Sequence, residues 1–312
     1  MNKSVSIIVP VFNEEKNIPL LYNEIKSVIS KANNYEFEII FVNDGSRDQS
    51  LIELQKLKDL DARVKIIDFS RNFGKEMATT AGINNCQSDA CIIMDGDLQH
   101  PAEKITEFLT KWEEGGEVII GVRNKNRSEG LIKKVGSYFF YKIINLISET
   151  KITPNTTDFR LLDKTVIEEF NKLTERNRIT RGLIDWLGFR REFIYFDANK
   201  RFNGKASYST VQLFRLAFNS IVSLSLFPLK LAGYLGVLIV LFSGSFGIFI
   251  FITRYISKTM YFSGPAMLAV LILFLIGIVL VCLGFIALYI ANIHADVSNR
   301  PMYIIRKSKI KN

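Results

Sequence analysis

The chain has 312 residues, 48% of them hydrophobic, and 40 Lys and Arg stand against 31 Asp and Glu, for a formal net charge of +9 at pH 7. This composition excludes a disordered or collagen-like chain, and the length fits about two domains or one domain with a membrane part. From Leu231 onward seven basic residues stand against one acid, so most of the excess charge lies beside the most hydrophobic part of the chain. That distribution is typical of a membrane protein and disfavours a nucleic-acid partner.

The first 230 residues alternate between predicted strands and predicted helices. The predicted strands cover residues 4–9, 37–42, 64–69, 90–94 and 118–121, and the predicted helices cover about 14–31, 48–60, 75–84 and 101–114. We expect Asn13 to cap the first helix. Continuous apolar strands separated by amphipathic helices predict an α/β fold with a mostly parallel sheet covered on both faces.

Polar residues follow three of these strands, where an α/β fold binds its ligands. Asn43, Asp44, Gly45 and Ser46 together are most simply a turn, and Glu14 and Glu15 can offset a helix dipole. The pair Asp95 and Asp97 is different, because two carboxylates one residue apart repel each other unless a cation holds them. A hard divalent ion such as Mg²⁺ or Mn²⁺ takes oxygen ligands and shares them with substrate phosphates. The pattern therefore predicts a metal that carries a diphosphate.

Histidine and cysteine usage excludes other chemistries. His100 and His294 are the only histidines, which disfavours a zinc enzyme or a histidine-based triad. Cys86, Cys91 and Cys282 are odd in number and form no CxxC pair, so they indicate neither a disulfide framework nor a zinc site.

Two C-terminal stretches are predicted to cross a membrane. Residues 231–253 and 259–295 carry no Asp, Glu, Lys or Arg, and the first would reach about 35 Å as a helix, against a hydrocarbon core of about 30 Å. The alternative is a pair of buried core helices. The basic tail after the second stretch predicts that both termini and the N-terminal domain are cytoplasmic. Residues 133–148 and 210–226 are apolar with a basic or polar end, and predict either helices at the membrane surface or helices that pack on each other or on the sheet.

Six segments carry a family resemblance: IVPVFNEEKNI (8–18), VNDGS (42–46), SRNFGKEMATTAGI (70–83), DGDLQHP (95–101), TTDFRLLD (156–163) and RFNG (201–204). In this order, and with the hydrophobic C-terminal part, they resemble the inverting glycosyltransferases of family 2. Within that family the chain is most similar to the polyprenyl-phosphate branch, which includes dolichol-phosphate mannose synthase and the bactoprenol glucosyltransferases. The resemblance implies a GT-A domain over 1–209, an amphipathic helix over 210–229, a membrane hairpin over 230–295 and a basic cytoplasmic tail over 296–312.

The resemblance also implies a role for each matching residue. The nucleotide sugar would be bound by Pro10, Asn13, Glu15, Asp44, Asp95, Gly96, Arg123, Arg127, Arg201 and Lys205, with the Asp44 carboxylate facing the base. The metal, Mg²⁺ or Mn²⁺, would be held by Asp95, Asp97 and Gln99. The catalytic set would be Asp97, Asp158 and Arg160. At Lys205 the chain departs from the family, whose relatives often place a cation three residues after the glycine at 204.

These residues imply transfer of one hexose, with inversion, from a nucleotide sugar to undecaprenyl phosphate at the cytoplasmic membrane face, for modification of a cell-envelope glycan. UDP-glucose is the favoured donor, and UDP-GlcNAc or GDP-mannose is the alternative. A phosphate monoester has a second pKa of about 6, so the acceptor phosphate needs little help from a general base. Asp158 would therefore either act as a base or orient the sugar and the arginines. The glycines of the spans permit helix association and hence a homo-oligomer. We also expect a separate flippase and a downstream transferase to use the product.

Three readings from other classes compete. A membrane-anchored, non-catalytic binding protein would need a degenerate site, whereas the DxD and DFR segments are intact. A nucleotidyltransferase would need a glycine-rich phosphate loop, which residues 9–15 lack. A transporter would need polar residues inside the spans. The segment after Gln212 lacks the tryptophan of the QxxRW motif of processive synthases, so we expect one sugar per lipid.

Overall fold

A computed structural model describes residues 3–124, 156–176, 178–197, 264–297 and 300–306, together with residues 245, 252 and 256. The chain divides into two compact units. The first comprises Met1–Asn145, Thr150–Ser209 and Arg300–Asn312, and the second comprises Leu146–Glu149 and Thr210–Asn299. The site residues predicted at 127, 201 and 205 and the predicted surface helices at 133–148 and 210–226 lie outside the described residues.

The first unit is built on a seven-stranded sheet. Its strands are β1 Lys3–Val11, β2 Tyr35–Asn43, β3 Val64–Asp68, β4 Ala90–Ile93, β5 Val118–Arg123, β6 Thr156–Asp163 and β7 Arg191–Phe196. The order across the sheet is β3-β2-β1-β4-β6-β5-β7. Strand β6 runs antiparallel to β4 and β5, and the other neighbouring pairs are parallel. The prediction of an α/β fold with a mostly parallel sheet is confirmed, and its GT-A-like mixed character comes from β6.

Helices cover both faces of this sheet. They are α1 Ile18–Ile29, α2 Ser50–Leu60, α3 Lys75–Asn84, a short 3₁₀ helix Ala102–Lys104, α4 Ile105–Glu113, α5 Lys164–Lys172 and α6 Thr180–Trp186. Two apolar cores result, one on each face, since alternate strand residues point to opposite sides. In β1 every residue from Val5 to Val11 is buried, which is why the strand reads as a continuous apolar run.

The expected cap of the first helix is wrong. Helix α1 begins at Ile18 with Pro19 in its first turn, and residues 15–17 form turns before it. Asn13 has a left-handed backbone (φ 56°), and its Oδ1 accepts a hydrogen bond from the Arg47 amide at 2.8 Å. The asparagine side chain therefore joins two loops at the sheet edge, because the helix starts too far along the chain for Asn13 to cap it.

The second unit contains one long described helix, α7, which covers Gly264–Val297. It lies almost wholly within the second predicted span, at 259–295, whereas the first predicted span has only residues 245 and 252 among those described. Within the described part of the chain, no helix meets the requirements of length and apolar character for a membrane span.

A hydrogen-bonded acid between α2 and β3 gives a testable pH dependence of stability. The Asp61 carboxylate accepts hydrogen bonds from Arg63 Nη2 at 2.7 Å and from the Tyr22 hydroxyl at 2.8 Å. The bonds from Arg63 are the main cause that holds the pKa of Asp61 well below its usual range. A lowered folded pKa means that the stabilisation is complete above the unfolded pKa, about 3.9, and is lost as the pH falls through the folded value.

We therefore expect Asp61→Asn to lower the free energy of unfolding by about 1–2 kcal/mol at pH 7. Thermal unfolding of the full chain in detergent, at pH 7 and at pH 3, measures the difference between variant and parent, which should shrink at the lower pH. Asp59→Asn, at an exposed position of α2, is the matched control and should change little at either pH. A difference that stays constant on acidification would show that Asp61 does not stabilise the fold as an ionised group.

Candidate active site

The loops after β1 and β2 are joined by hydrogen bonds at the carboxyl edge of the sheet. The Asn13 amide donates to Ser46 Oγ at 3.0 Å, and the Gln49 amide donates to Glu15 Oε2 at 3.0 Å. The carboxyl ends of these parallel strands lie at the same edge, which explains why segments about 30 residues apart in sequence meet here. The structure therefore brings together Asn13, Glu15 and the loop that contains Asp44.

Asp44 holds the segment that leads into α3. Its residue is 2% exposed, and its carboxylate accepts hydrogen bonds from the Phe73 amide at 2.7 Å and the Gly74 amide at 3.0 Å. Burial raises the pKa of this carboxyl, although the two backbone bonds act in the opposite direction. The predicted contact between Asp44 and a nucleoside base stays a prediction, because the observed partners are backbone amides.

Gly45 shows how closely the two loops approach. Its backbone is left-handed (φ 64°), and a Cβ atom there would lie 2.3 Å from the backbone carbon of Arg71. The Asn-Asp-Gly-Ser sequence is therefore more than a solvent-exposed turn, since its glycine is the docking point for the backbone of residues 71 and 72.

A lysine links two of the predicted site acids. Lys75, the first residue of α3, places its Nζ 2.6 Å from Asp95 Oδ1 and 2.7 Å from Asp158 Oδ2. Loss of solvent around the ammonium acts to lower its pKa, but Asp95 and Asp158 outweigh that effect and hold the pKa of Lys75 above its ordinary value. The pairing of β4 with β6 explains the meeting of the acids, because Ile93 is opposite Arg160 at the end of the ladder and each acid lies two residues from that pair, Asp95 after Ile93 and Asp158 before Arg160.

Asp158 also pairs with a cation from a different element. Arg181, in α6, places Nε 2.9 Å from Asp158 Oδ1. Loss of solvation acts to raise the pKa of Asp158, but Lys75 and Arg181 outweigh it and hold the pKa well below its usual range. Asp158 is therefore ionised at neutral pH and is a weak base.

The imidazole of His100 binds the backbone amide of Asp95. Its Nδ1 accepts a hydrogen bond from the Asp95 amide at 3.0 Å, so the proton of the neutral ring is assigned to Nε2, which lies 3.8 Å from Asp95 Oδ2. The ring stacks on Phe159 at a centroid distance of 4.9 Å, and burial lowers the pKa of His100. A neutral, buried histidine thus fixes the backbone that carries the first aspartate of the DxD sequence.

The guanidinium of Arg160 is buried and pairs with an acid of α6. Its residue is 1% exposed, and Nη1 lies 2.9 Å from Asp185 Oδ1 of α6, while Nε donates to the Thr157 carbonyl at 3.2 Å. The catalytic role predicted for Arg160 stays a prediction: its guanidinium pairs with Asp185, and the residue lines a small pocket together with Asp158. Lys75 and Arg181, with side chains 45% and 43% exposed, are partly exposed cations that pair with Asp158, and neither was predicted from the sequence.

A cavity of about 190 Å³ opens at this edge of the sheet. It is lined by Asp95, Gln99, His100, Arg123, Thr156, Thr157, Asp158, Arg181 and Phe196. The predicted residues Asp95, Gln99, Arg123 and Asp158 are therefore brought to one place. The carbonyl oxygen of Pro10 approaches the loop that follows Asp95, since a Cβ on Gly96 would be 3.1 Å from that oxygen.

The site contains residues that were not predicted from the sequence: Lys75, which pairs with two of its acids, and the lining residues His100, Thr156, Thr157, Arg181 and Phe196. Lys75 lies in the SRNFGKE segment that carries the family resemblance, so a signal for it was present in the sequence. Arg181 follows no recognisable pattern, and only the packing of α6 brings it to Asp158.

The residues present fit a divalent ion that is shared with a diphosphate. In the described ranges no group of three or more His, Cys, Asp or Glu side chains is arranged to hold a metal. Mg²⁺ and Mn²⁺ need only one or two carboxylates when substrate phosphates supply further oxygens. Asp95 and Gln99 offer such oxygens to the cavity, and the Asp95 carboxylate already pairs with a cation, the Lys75 ammonium. Asp97 is held in its loop by the Gln99 amide, which donates to Asp97 Oδ1 at 3.2 Å.

Comparison with known proteins gives the family. Residues 6–170 match the family described as Glycosyl transferase family 2. The chain belongs to this family. The glycosyltransferase is 39% identical over 305 residues to the uncharacterized glycosyltransferase YkcC of Bacillus subtilis, which covers 97% of this chain and 93% of the relative. It is 36% identical over 304 residues to the bactoprenol glucosyl transferase of Shigella phage SfII, which covers 97% of this chain and 98% of the relative.

Solved structures support the fold of this glycosyltransferase. Mannosyl-3-phosphoglycerate synthase from Rubrobacter xylanophilus superposes with a TM-score of 0.52 at 13% identity, over 70% of this chain and 72% of that one. At that identity the likeness concerns the fold alone. The chain is thus an enzyme of the glycosyltransferase class, related along nearly its whole length to bactoprenol glucosyl transferases.

Proposed function

We propose that this glycosyltransferase moves one hexose from a nucleotide sugar to undecaprenyl phosphate, with inversion and with a divalent ion, at the cytoplasmic face of a membrane. The observation that carries the proposal is the cavity in which the carboxylates of Asp95 and Asp158 lie beside the cations Arg123 and Arg181. Such a site can accept two anionic groups, the diphosphate of a donor and the phosphate of an acceptor, that would otherwise repel each other.

The donor side is formed by the joined loops after β1, β2 and β4. Asn13, Glu15 and Asp44 lie in the first two loops, where the nucleoside is proposed to bind, and Asp95 begins the third. Asp95, Asp97 and Gln99 would hold Mg²⁺ or Mn²⁺, which when bound supplies positive charge to the departing nucleoside diphosphate. The neutral His100 ring keeps the Asp95 backbone in place for this purpose.

The acceptor side is formed by the cations of the cavity. A lipid phosphate with a second pKa of about 6 is largely deprotonated at pH 7, so its oxygen attacks without a general base. The bond from that oxygen to the anomeric carbon forms while the bond from the anomeric carbon to the donor diphosphate breaks, and no proton moves. Displacement from the opposite side inverts the anomeric configuration, so an α-linked donor yields a β-linked lipid product.

Several finer parts of the proposal rest on the sequence and on relatives. UDP-glucose is the favoured donor because the phage relative is named a glucosyl transferase, with UDP-GlcNAc and GDP-mannose as alternatives. The charge-free stretches at 231–253 and 259–295 support two membrane spans, and the basic tail supports cytoplasmic termini. Helix α7 gives the second stretch a helical structure.

The test is transfer of label into lipid. Membranes that contain the full chain are incubated with undecaprenyl phosphate and Mg²⁺ or Mn²⁺ and, separately, with labelled UDP-glucose, UDP-GlcNAc and GDP-mannose. We expect label in the organic phase from UDP-glucose and a β-anomeric signal in the product. Membranes that contain Asp95→Asn are the matched control. Absence of lipid-linked label with every donor would overturn the proposed function, and label from another donor alone would overturn the choice of glucose.

A further inference from the structure

A short C-terminal segment pairs with residues 68–70, at the end of the edge strand β3. The Arg306 amide donates to the Asp68 carbonyl at 2.7 Å, and the Ser70 amide donates to the Ile304 carbonyl at 2.9 Å. Phe69 and Ile305 form an antiparallel bridge between these bonds. Because β3 is the outermost strand on its side, the backbone groups of residues 68 and 70 at its end would otherwise lack these partners.

The side chains of Tyr303 and Arg306 add further contacts to this pairing. The Tyr303 ring stacks on Phe69 with a centroid distance of 5.1 Å and an interplanar angle of 14°, and its hydroxyl accepts a hydrogen bond from Asn84 Nδ2 of α3 at 3.2 Å. Arg306 Nη2 donates to the Ser70 carbonyl at 3.1 Å. Phe69 is 0% exposed, and the Tyr303 ring is one of the groups that pack over it.

The strand end that the tail covers leads directly to the candidate active site. Phe69 contacts Phe73 edge to face at 5.6 Å, and the amides of Phe73 and Gly74 bind the Asp44 carboxylate. The next residue is Lys75, whose ammonium lies between Asp95 and Asp158. Residues 70–74 have no helix or strand of their own, so their position depends on the tail at one end, on the close approach of Gly45 to residues 71 and 72, and on Asp44 at the other end.

We infer that the segment 303–306 is a positioning element of the active site: by pairing with β3 and stacking on Phe69 it places the segment 70–75, and hence the Lys75 ammonium, between the two acids. Its contribution to turnover rests on the proposed function. A purely protective role at the sheet edge would leave turnover unchanged. A small displacement of a charged group in a site built for displacement chemistry lowers the rate steeply.

The experiment combines amide hydrogen exchange with kinetics on the full chain in lipid nanodiscs. In Tyr303→Ala the exchange of the amides of residues 70–74 should be faster by about tenfold or more, and kcat for transfer should fall by about tenfold. Tyr303→Phe keeps the stacked ring and should lie close to the parent in both measurements. Tyr195→Ala, at a tyrosine of β7 that is 62% exposed, is the matched control and should change neither.

Two truncations extend the test. A chain that ends at Arg306 lacks only 307–312 and should keep its turnover, whereas a chain that ends at Arg300 lacks the paired segment and should show both the faster exchange and the slower turnover. Unchanged exchange in Tyr303→Ala, or faster exchange with unchanged kcat, would overturn the inference. The exchange measurement needs no substrate, so failure of the proposed function, seen as no transfer by the parent, is distinct from failure of the tail to hold the segment.

Discussion

Replacing Asp95 by asparagine is expected to lower kcat/KM for sugar transfer by a factor of about 10³. Asp95 lines the cavity, pairs with Lys75 at 2.6 Å and has its backbone fixed by His100, so the neutral variant keeps the shape of the site and loses its charge. The divalent ion that would neutralise the leaving diphosphate then has a weaker ligand. The measurement is initial-rate kinetics with labelled donor and undecaprenyl phosphate.

Binding provides a readout for Asp95→Asn that does not depend on turnover. Titration of Mn²⁺ in the presence of UDP should show weaker ion binding for the variant than for the parent. Asp59→Asn makes the same chemical change at an exposed position of α2 and should match the parent in rate and in binding. An Asp95→Asn enzyme that transfers sugar at the parental rate in the presence of a chelator would contradict the assignment of Asp95 to the metal.

Asp158→Asn is expected to lower kcat/KM by about 10²-fold and to leave the shape of its pH profile unchanged. Lys75 and Arg181 hold the pKa of Asp158 far below neutral, so the carboxylate stays ionised throughout the range in which the acceptor phosphate titrates. The loss arises because the two cations lose the anion that orients them. The acid limb of the pH profile, at about pH 6, reports protonation of the acceptor phosphate in both enzymes.

The pH profile separates the two roles that sequence reasoning left open for Asp158. Kinetics between pH 5 and pH 9 with saturating donor give the limb for parent and variant. If the acid limb of the parent were absent from Asp158→Asn, then Asp158 would be a general base, and the orienting role would be wrong. The exposed-acid control Asp59→Asn should reproduce the parental profile in full.

Local sequence patterns predicted the strands correctly, because the burial of a strand is visible in its own residues. The apolar runs of β1, β2 and β4 are buried strands, and the polar residues after them lie at one edge, because parallel strands end on the same side of a sheet. The helix boundary at Asn13 was wrong because a loop contact to Arg47 competes with capping, and a sequence pattern does not display such a contact.

The partners of the site's cations could not be predicted from sequence motifs. Arg160 was assigned from the TDFR motif, two residues from Asp158, but the packing of α6 places Asp185 against its guanidinium and buries the pair. The same helix brings Arg181 to Asp158. A motif identifies residue types, whereas the partner of a charged side chain depends on elements that are distant in the chain.

The sequence by itself determined the α/β class, the mostly parallel sheet and the family, and its motifs made Asp95 and Asp158 candidate site residues, since periodicity and motifs are continuous in the chain. Only the tertiary structure decided that β6 runs antiparallel to β4, which brings Asp158 to the end of the sheet where Asp95 lies, and that Lys75 joins the two acids. It also decided that the C-terminal segment pairs with residues 68–70, at the end of β3. The physical reason is that strand direction, ion pairing and edge pairing are interactions between segments that are far apart in sequence.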